Sequence, residues 1–357
     1  MRVLSTTEQR SSELFQIPRA RPDREQRVHH PILPNELDSS TEPEISVVIP
    51  LLNKGPHIRR ALQSVISQTV QDFEVIVVDG GSTDSGPEIV KGFGDPRIRF
   101  VRQRGSGVSA ARNQGVSMSR ADLVAFLDAD DEWMPRHLET ILSLKREFPE
   151  AGAYTTAYKI RKVSGRLRWA KYRAIPPAPW RGLIPNYFKS AALGEYPVWT
   201  SVVCIPKKIF TEVGGFPEDA WFGEDADLFG KIALKYPIAF NWYMGAIYHW
   251  EAANRVCGRQ LPLAPEPFVK TALQSMENGA IPHELLSDVQ EYVAKKEIAR
   301  AARNLIAGES EEANRILKAY RTECLRHRRL ILRSMAAIPL PLFWKAVKLK
   351  DLFDLYI

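Results

Sequence analysis

A chain of 357 residues, 45% hydrophobic and 25% charged, is long enough for one large domain with appendages or for two domains, and has a globular composition. No stretch approaches the roughly 20 uninterrupted apolar residues of a membrane span, and the N-terminal sequence lacks a signal-peptide hydrophobic region, so a cytoplasmic protein is expected. The net charge of +7 is no argument for a nucleic-acid partner: ten Lys/Arg stand against Glu323 alone between Arg315 and Lys350, which gives that segment +9 and leaves −2 for the rest. Cys204, Cys257 and Cys324 lie far apart without metal-ligand spacing, as in a reducing compartment.

Residues 1–44 are polar and contain Pro18, Pro22, Pro31, Pro34 and Pro43 without a helical or strand period, which predicts an extended or disordered leader. Ile45–Pro50 then reads as a buried strand, and His57–Gln68 as a helix with Ile58, Ala61, Leu62, Val65 and Ile66 on one face. Phe73–Val78 is a second strand, ending at Asp79. The turn Gly80–Asp84 opens a short helix with Ser82 or Asp84 as its cap. Ile98–Arg102 is a third strand, Gly107–Ser119 a helix and Ala121–Leu127 a fourth strand. This alternation with short loops predicts right-handed βαβ units and a parallel sheet.

Beyond a helix at Pro135–Phe148 the rhythm loosens. Ala151–Val163 is an expected edge strand, Arg173–Pro185 a loop, Val198–Ile205 a strand and Lys207–Val213 a short helix. Gly214–Phe222 is a turn-rich loop, Glu224–Leu234 a helix, and Ile238–Trp250 one or two strands. From about Pro265 the chain turns helical, with a hairpin of Ala299–Ala307 and Glu311–Tyr320 around Gly308–Ser310.

The fourth strand ends in Asp128, Asp130 and Asp131, three carboxylates within four residues. Like charges that close resist sharing a site unless a cation sits between them. Hard oxygen ligands at a strand's carboxyl end suit Mg²⁺ or Mn²⁺ carrying a substrate phosphate, and open parallel sheets bind ligands outside those ends. One nucleotide reading uses Gly105-Ser106-Gly107-Val108-Ser109-Ala110, which opens a helix, with Asp128 at the spacing of a ribose-binding acid in a dinucleotide-dependent oxidoreductase. Against it, Asp130 and Asp131 would crowd negative charge beside the pyrophosphate, and two βα units precede the glycines.

Other blocks account for more of the chain. These are Ser46–Pro50 with Asn53, Ser64–Thr69, Val77–Asp84, Gly107–Gly115, Phe126–Asp131, Val213–Phe216 and Gly223–Leu228. In this order, residues 45–251 resemble the family 2 glycosyltransferases. The resemblance implies an α/β GT-A fold, a mostly parallel, Rossmann-like sheet flanked by helices, in a catalytic domain at 45–260, followed by a basic helical extension at 261–357. It also implies an inverting, metal-dependent transfer from a nucleotide-diphosphate sugar, with a UDP-sugar the first expectation. The acceptor would be a hydroxyl of a glycan or lipid-linked molecule in cell-surface polysaccharide synthesis. A catalytically silent nucleotide-sugar-binding scaffold is the remaining alternative, and the intact acids argue against it.

Residue by residue, the resemblance implies that Asp79 accepts from the nucleobase, Asp128 holds the ribose and Asp130 binds Mn²⁺ or Mg²⁺. Pro50, Leu52, Asn53 and Ala129 would line the nucleotide-sugar site. Asp225 would be the general base for the acceptor hydroxyl. Arg112 pairs with a phosphate or with a structural carboxylate, Asp131 is an outer-shell ligand or a helix cap, and His249 is a ligand near the metal or a structural histidine. Trp199, Trp221 and Glu224 fall on the acceptor side, the tryptophans as stacking, core or lid residues. Three departures stand out: Leu52 where many members have a base-stacking Tyr, Gly80 where a second acid is usual, and Lys231 where Arg is common. In Arg321–Leu349 basic and apolar residues interleave. That composition suits either an amphipathic segment on the anionic inner face of the plasma membrane or a solvated helix packed on the catalytic domain.

Overall fold

The computed structural model describes residues 42–252 and 261–336; residues 1–41 of the leader expected at 1–44, Cys257, and the tail from 337 with Pro339 and Pro341 lie outside the described residues. The first half runs β1 (Ile45–Leu51), α1 (Gly55–Ile66), β2 (Phe73–Asp79), α2 (Gly86–Lys91), β3 (Ile98–Arg102), α3 (Gly107–Met118) and β4 (Leu123–Phe126). Next come β5 (Glu132–Trp133), α4 (His137–Glu147), β6 (Ala153–Arg161), β7 (Leu167–Trp169), β8 (Arg181–Leu183), α5 (Tyr187–Leu193), β9 (Val203–Pro206) and α6 (Lys207–Glu212). The last elements are α7 (Glu224–Lys235), β10 (Ile238–His249), α8 (Pro267–Glu277), α9 (His283–Ala307), α10 (Ser310–Ala319) and α11 (Arg326–Ala336).

The strands form one sheet in the order β3-β2-β1-β4-β9-β6-β10-β5, with β7 on β6 and β8 on β10. The first four are parallel, in the register Val47↔Val75 and Val47↔Ala125. β4 pairs antiparallel with β9, and β9 with β6, so parallel order returns only at β6–β10. Ala151–Val163 was expected at an edge. Its strand β6 instead lies inside the sheet between β9 and β10, buried along most of its length.

Alternation along β1 explains both faces. Ile45, Val47 and Ile49 pack with Ile58, Leu62 and Val65 of α1, whereas Val48 points into the opposite core with Val116 of α3. The chain therefore leaves β1 toward one face and reaches β4 from the other. That reversal opens a crevice above their carboxyl ends, where ligands of open α/β sheets bind. α3 comes so close that a Cβ on Gly115 would lie 2.3 Å from Val48 Cγ1.

The C-terminal helices divide their packing. Phe268, Val269 and Ala272 of α8, with Val289, Tyr292 and Val293 of α9, belong to the same core as Phe188 of α5 and Leu228 of α7. The later part of α9 instead packs Ile298, Ala301, Ala302 and Leu305 with Ala313, Ile316 and Leu317 of α10 and Leu332 of α11.

Candidate active site at the carboxyl ends of the parallel strands

The loop after β1 and the turn after β2 are tied together. Asn53, at φ +52°, donates its backbone N–H to Ser82 Oγ (3.0 Å) and accepts from the Thr83 N–H through Oδ1 (2.8 Å). Asp84 Oδ2 accepts from the Gly55 N–H (2.6 Å), and Asp79 Oδ1 accepts from the Ser82 N–H (3.0 Å). The Asn53 side chain thus holds the two loops together. Asp79 is buried at the end of β2, with the exposed Arg102 guanidinium 3.7 Å from its second oxygen. Gly80 has a close-approach reason: a Cβ there would lie 2.8 Å from Gln103 Oε1. Leu52 stands exposed on the loop beside half-buried Pro50.

The three acids after β4 diverge in role. Asp128 accepts from Arg112 Nη2 at 2.7 Å, and the other arm of Arg112 reaches Glu224 Oε1 at 3.0 Å. Both arms of Arg112 thus meet carboxylates. Burial alone would lower its pKa, but the charges of Asp128 and Glu224 raise it instead. The guanidinium also lies over the Phe216 ring, 5.1 Å from its centroid. Ala129 is buried. Asp130 Oδ2 meets Lys54 Nζ at 2.5 Å, and its carbonyl accepts from Arg60 at 2.5 Å.

Asp131 turns inward. Its carboxylate accepts from the Ser201 hydroxyl (2.5 Å) and the His249 backbone N–H (3.1 Å), while burial and then the charges of Asp130 and Asp128 raise its pKa well above the usual carboxylate range. It ties the end of β4 to the turn before β9 and the end of β10, and it caps no helix.

His249 is buried, with Nε2 3.0 Å from Glu132 and Nδ1 2.7 Å from Glu251. Ligation by His249 therefore requires one of these carboxylates to let go. Among the described residues, no group of three or more His, Cys, Asp or Glu side chains is placed to hold a metal ion. The oxygen donors after β4 fit a hard cation through Asp130, with Lys54 as the resident positive charge. The cations Lys54 and Arg60 and the partners Ser201, Glu132 and Glu251 were not found by sequence reasoning. Only their proximity in the fold identifies them.

Asp225 is the second residue of α7, which follows Gly223, whose φ of +77° favours glycine. Its Oδ1 accepts from the Ala226 N–H at 2.7 Å, and burial together with the Glu224 charge pushes its pKa up to about 6. Arg112 brings Asp128, Glu224 and the start of α7 into one cluster. Trp199, two residues before Ser201, has its ring 4.7 Å from Tyr248 and 5.9 Å from Tyr158, with Nε1 buried and unpartnered. Trp221, 40% exposed, packs beside Phe222 on the loop before α7.

Residues 46–200 match the family described as Glycosyl transferase family 2. Over 224 aligned residues the chain is 31% identical to validoxylamine A glucosyltransferase of Streptomyces hygroscopicus subsp. jinggangensis (strain 5008), covering 53% of this chain and 51% of that protein. The chain spans about half or less of the length of the first curated relatives it matches. Its fold is similar to the crystal structure of S. aureus TarS 1-349 in complex with UDP-GlcNAc, with a TM-score of 0.60 at 16% identity over 82% of this chain and 90% of that one. It is also similar to the mannosyltransferase PcManGT from Pyrobaculum calidifontis in complex with GDP-Man and Mn²⁺, with a TM-score of 0.54 at 18% identity over 78% of this chain and 75% of that one. At such identities the structural likeness speaks for the fold alone. The likeness to glycosyl transferase family 2 is thus carried by residues 46–200, which include the acids at the ends of β2 and β4, and the α/β fold is similar to that of GT-A glycosyltransferase structures.

Proposed function

We propose that this protein transfers a sugar from a nucleotide-diphosphate sugar to an acceptor hydroxyl with inversion, and that residues 45–260 form its catalytic domain. The observation that carries the reading is the Arg112 bridge between Asp128 and Glu224, which couples the acids after β4 to the helix start bearing Asp225. Asp79 accepts a hydrogen bond from the nucleobase, uracil in the first instance, and Asp128 holds ribose hydroxyls while Arg112 fixes its orientation. Pro50, Leu52, Asn53 and Ala129 complete the walls. Asp130 would hold a divalent cation, Mn²⁺ or Mg²⁺, which would supply Lewis-acid stabilisation for the departing nucleoside diphosphate. Divalent-metal use is supported by the Mn²⁺ in the PcManGT complex.

Asp225 takes the proton of the acceptor hydroxyl as that oxygen attacks the anomeric carbon from the side opposite the leaving group. A single base in that position implies inversion, and Trp221 and Glu224 flank the approach. A glycan or lipid-linked acceptor in cell-surface polysaccharide synthesis is the class we favour.

The test is release of nucleoside diphosphate across a donor panel, with and without Mn²⁺. Asp130→Asn should abolish transfer and most Mn²⁺-dependent nucleotide binding while leaving the fold intact by circular dichroism. Full activity in chelator, or in the variant, overturns the assignment of Asp130.

A further inference from the structure

Three charged groups from two separate stretches meet behind Asp225. Lys296 of α9 is buried, with its side chain 3% exposed and Nζ 2.7 Å from Glu266 Oε2. Its ammonium also lies over the rings of Tyr292 (5.0 Å) and Tyr196 (5.4 Å). Arg303 stands two turns further along the same face of α9. It reaches Glu266 Oε1 at 3.4 Å and lies 5.4 Å from the Phe222 ring centroid. Glu266 in turn presses on the start of α7, where a Cβ added to Gly223 would meet its Oε2 at 3.0 Å. Glu266 thus faces two of the cations of α9, Lys296 and Arg303, and ties this net positive group to the Gly223 turn that precedes Asp225.

We propose that Lys296 is a positioning residue for the base: anchored by Glu266, it presents its ammonium to the Asp225 carboxylate and holds that group ionised and oriented for proton abstraction. This rests on the reading of Asp225 as base. The helices after residue 261 are then part of the catalytic apparatus.

Groups from every neighbouring element bear on Asp225. Glu224 on its own helix raises its pKa, and Lys296 on α9 and Arg112 on α3 lower it. Tyr292 on α9 and Tyr196 on the loop after α5 feel the Asp225 charge in return. Lys296 itself is held protonated by Glu266 against the effect of burial. Of these, Lys296 and Glu266 can be varied without touching the cluster of Arg112, Asp128 and Glu224.

The experiment is a pH titration of the full chain labelled with ¹³C in its aspartate carboxyls, with the Asp225 resonance assigned by its loss in Asp225→Asn. Lys296→Met should move the Asp225 midpoint to higher pH, weakening the acid about tenfold, and Lys296→Arg should restore it. Glu266→Gln, which leaves the ammonium uncompensated, should move the midpoint the opposite way. An unmoved midpoint in Lys296→Met, or shifts of the same sign in Lys296→Met and Glu266→Gln, overturns the proposal. If Lys296→Met does not fold, Glu266→Gln decides alone: a lowered midpoint supports the proposal, and an unmoved or raised one overturns it. UDP-GlcNAc, UDP-glucose and GDP-mannose turnover separates the two layers. Opposite shifts in a protein whose Asp225→Asn form keeps full transfer would remove the base assignment and leave the Lys296–Asp225 coupling standing.

Discussion

Asp225 carries two pH dependences of opposite sign. Burial and the neighbouring Glu224 charge push its pKa from an ordinary 3.8 up to about 6, so transfer should fall as pH is lowered through about 6 and the base becomes protonated. Stability runs the other way, because a folded state with the higher pKa binds the proton more tightly. That contribution is complete below pH 3.8 and lost as pH rises through about 6. Asp225→Asn should therefore lose transfer by about 10²–10⁴-fold with donor-nucleotide affinity nearly unchanged. Its Tm should exceed wild type at pH 8, with the gap closing toward pH 4. Loss of nucleotide binding in this variant would make Asp225 a ligand or a structural group. Much of this was legible in the residues themselves, since carboxylates at strand and helix ends announce charge that needs a partner. The sequence left Arg112 with two readings, because both of its partners lie far along the chain at Asp128 and Glu224. Asp131 likewise kept two readings, outer-shell ligand or helix cap, because its partners Ser201 and the His249 N–H lie far along the chain.

At the scale of elements, the parallel half of the sheet could be read because its strands are apolar on both faces and α1 keeps a clean helical period. The other half could be read only in part. Strands were expected where β6, β9 and β10 lie, but Val198–Ile205 is extended into a strand only from Val203, the two-residue β5 is too short for a pattern, and β6 is interior because β9 inserts beside it. Helix α9 was found only near its end, because it buries Lys296, Glu297, Arg300 and Arg303 as well as its apolar residues. Buried ion pairs erase the polar face that a periodicity argument needs. The joint between α7 and α8 offers a test at this scale, since a Cβ on Gly230 would lie 2.1 Å from the ring of fully buried Phe268. Gly230→Ala should cost about 1–3 kcal/mol by overpacking, read as a lower urea midpoint. Because α7 carries Asp225, transfer should fall more steeply than nucleotide binding. Unchanged stability would mean that α8 yields without cost and does not fix α7.

For the whole molecule the uneven charge becomes a question of place. No helix among the described residues is long and apolar enough to cross a membrane. The basic tail begins in α11, where Leu332 and Ala336 are buried against α9 and α10, while Leu330 and Ile331 are about half exposed near Arg326 and Arg333. Two exposed apolar side chains among arginines fit an anionic lipid surface, where each basic group contributes on the order of 1 kcal/mol and salt weakens the attraction. Truncation after Gly308 is a poor way to ask, because α10 and α11 cover Ile298, Ala301, Ala302 and Leu305 of α9 and their loss would expose that cluster. Substitution on the exposed face avoids this. Leu330→Asp with Ile331→Asp should lower partitioning of the full chain onto phosphatidylserine-containing vesicles by roughly tenfold or more, given the apolar area withdrawn from water. Binding by the wild type should fall as salt rises from 50 to 500 mM, values chosen to pass through the range where screening becomes strong. Transfer to a small soluble acceptor should survive, since every residue we assign to the reaction, Lys296 included, lies before α11. Equal vesicle binding by variant and wild type would show that α11 is a solvated cover for α9, and would leave the acceptor to be brought to the enzyme by other means.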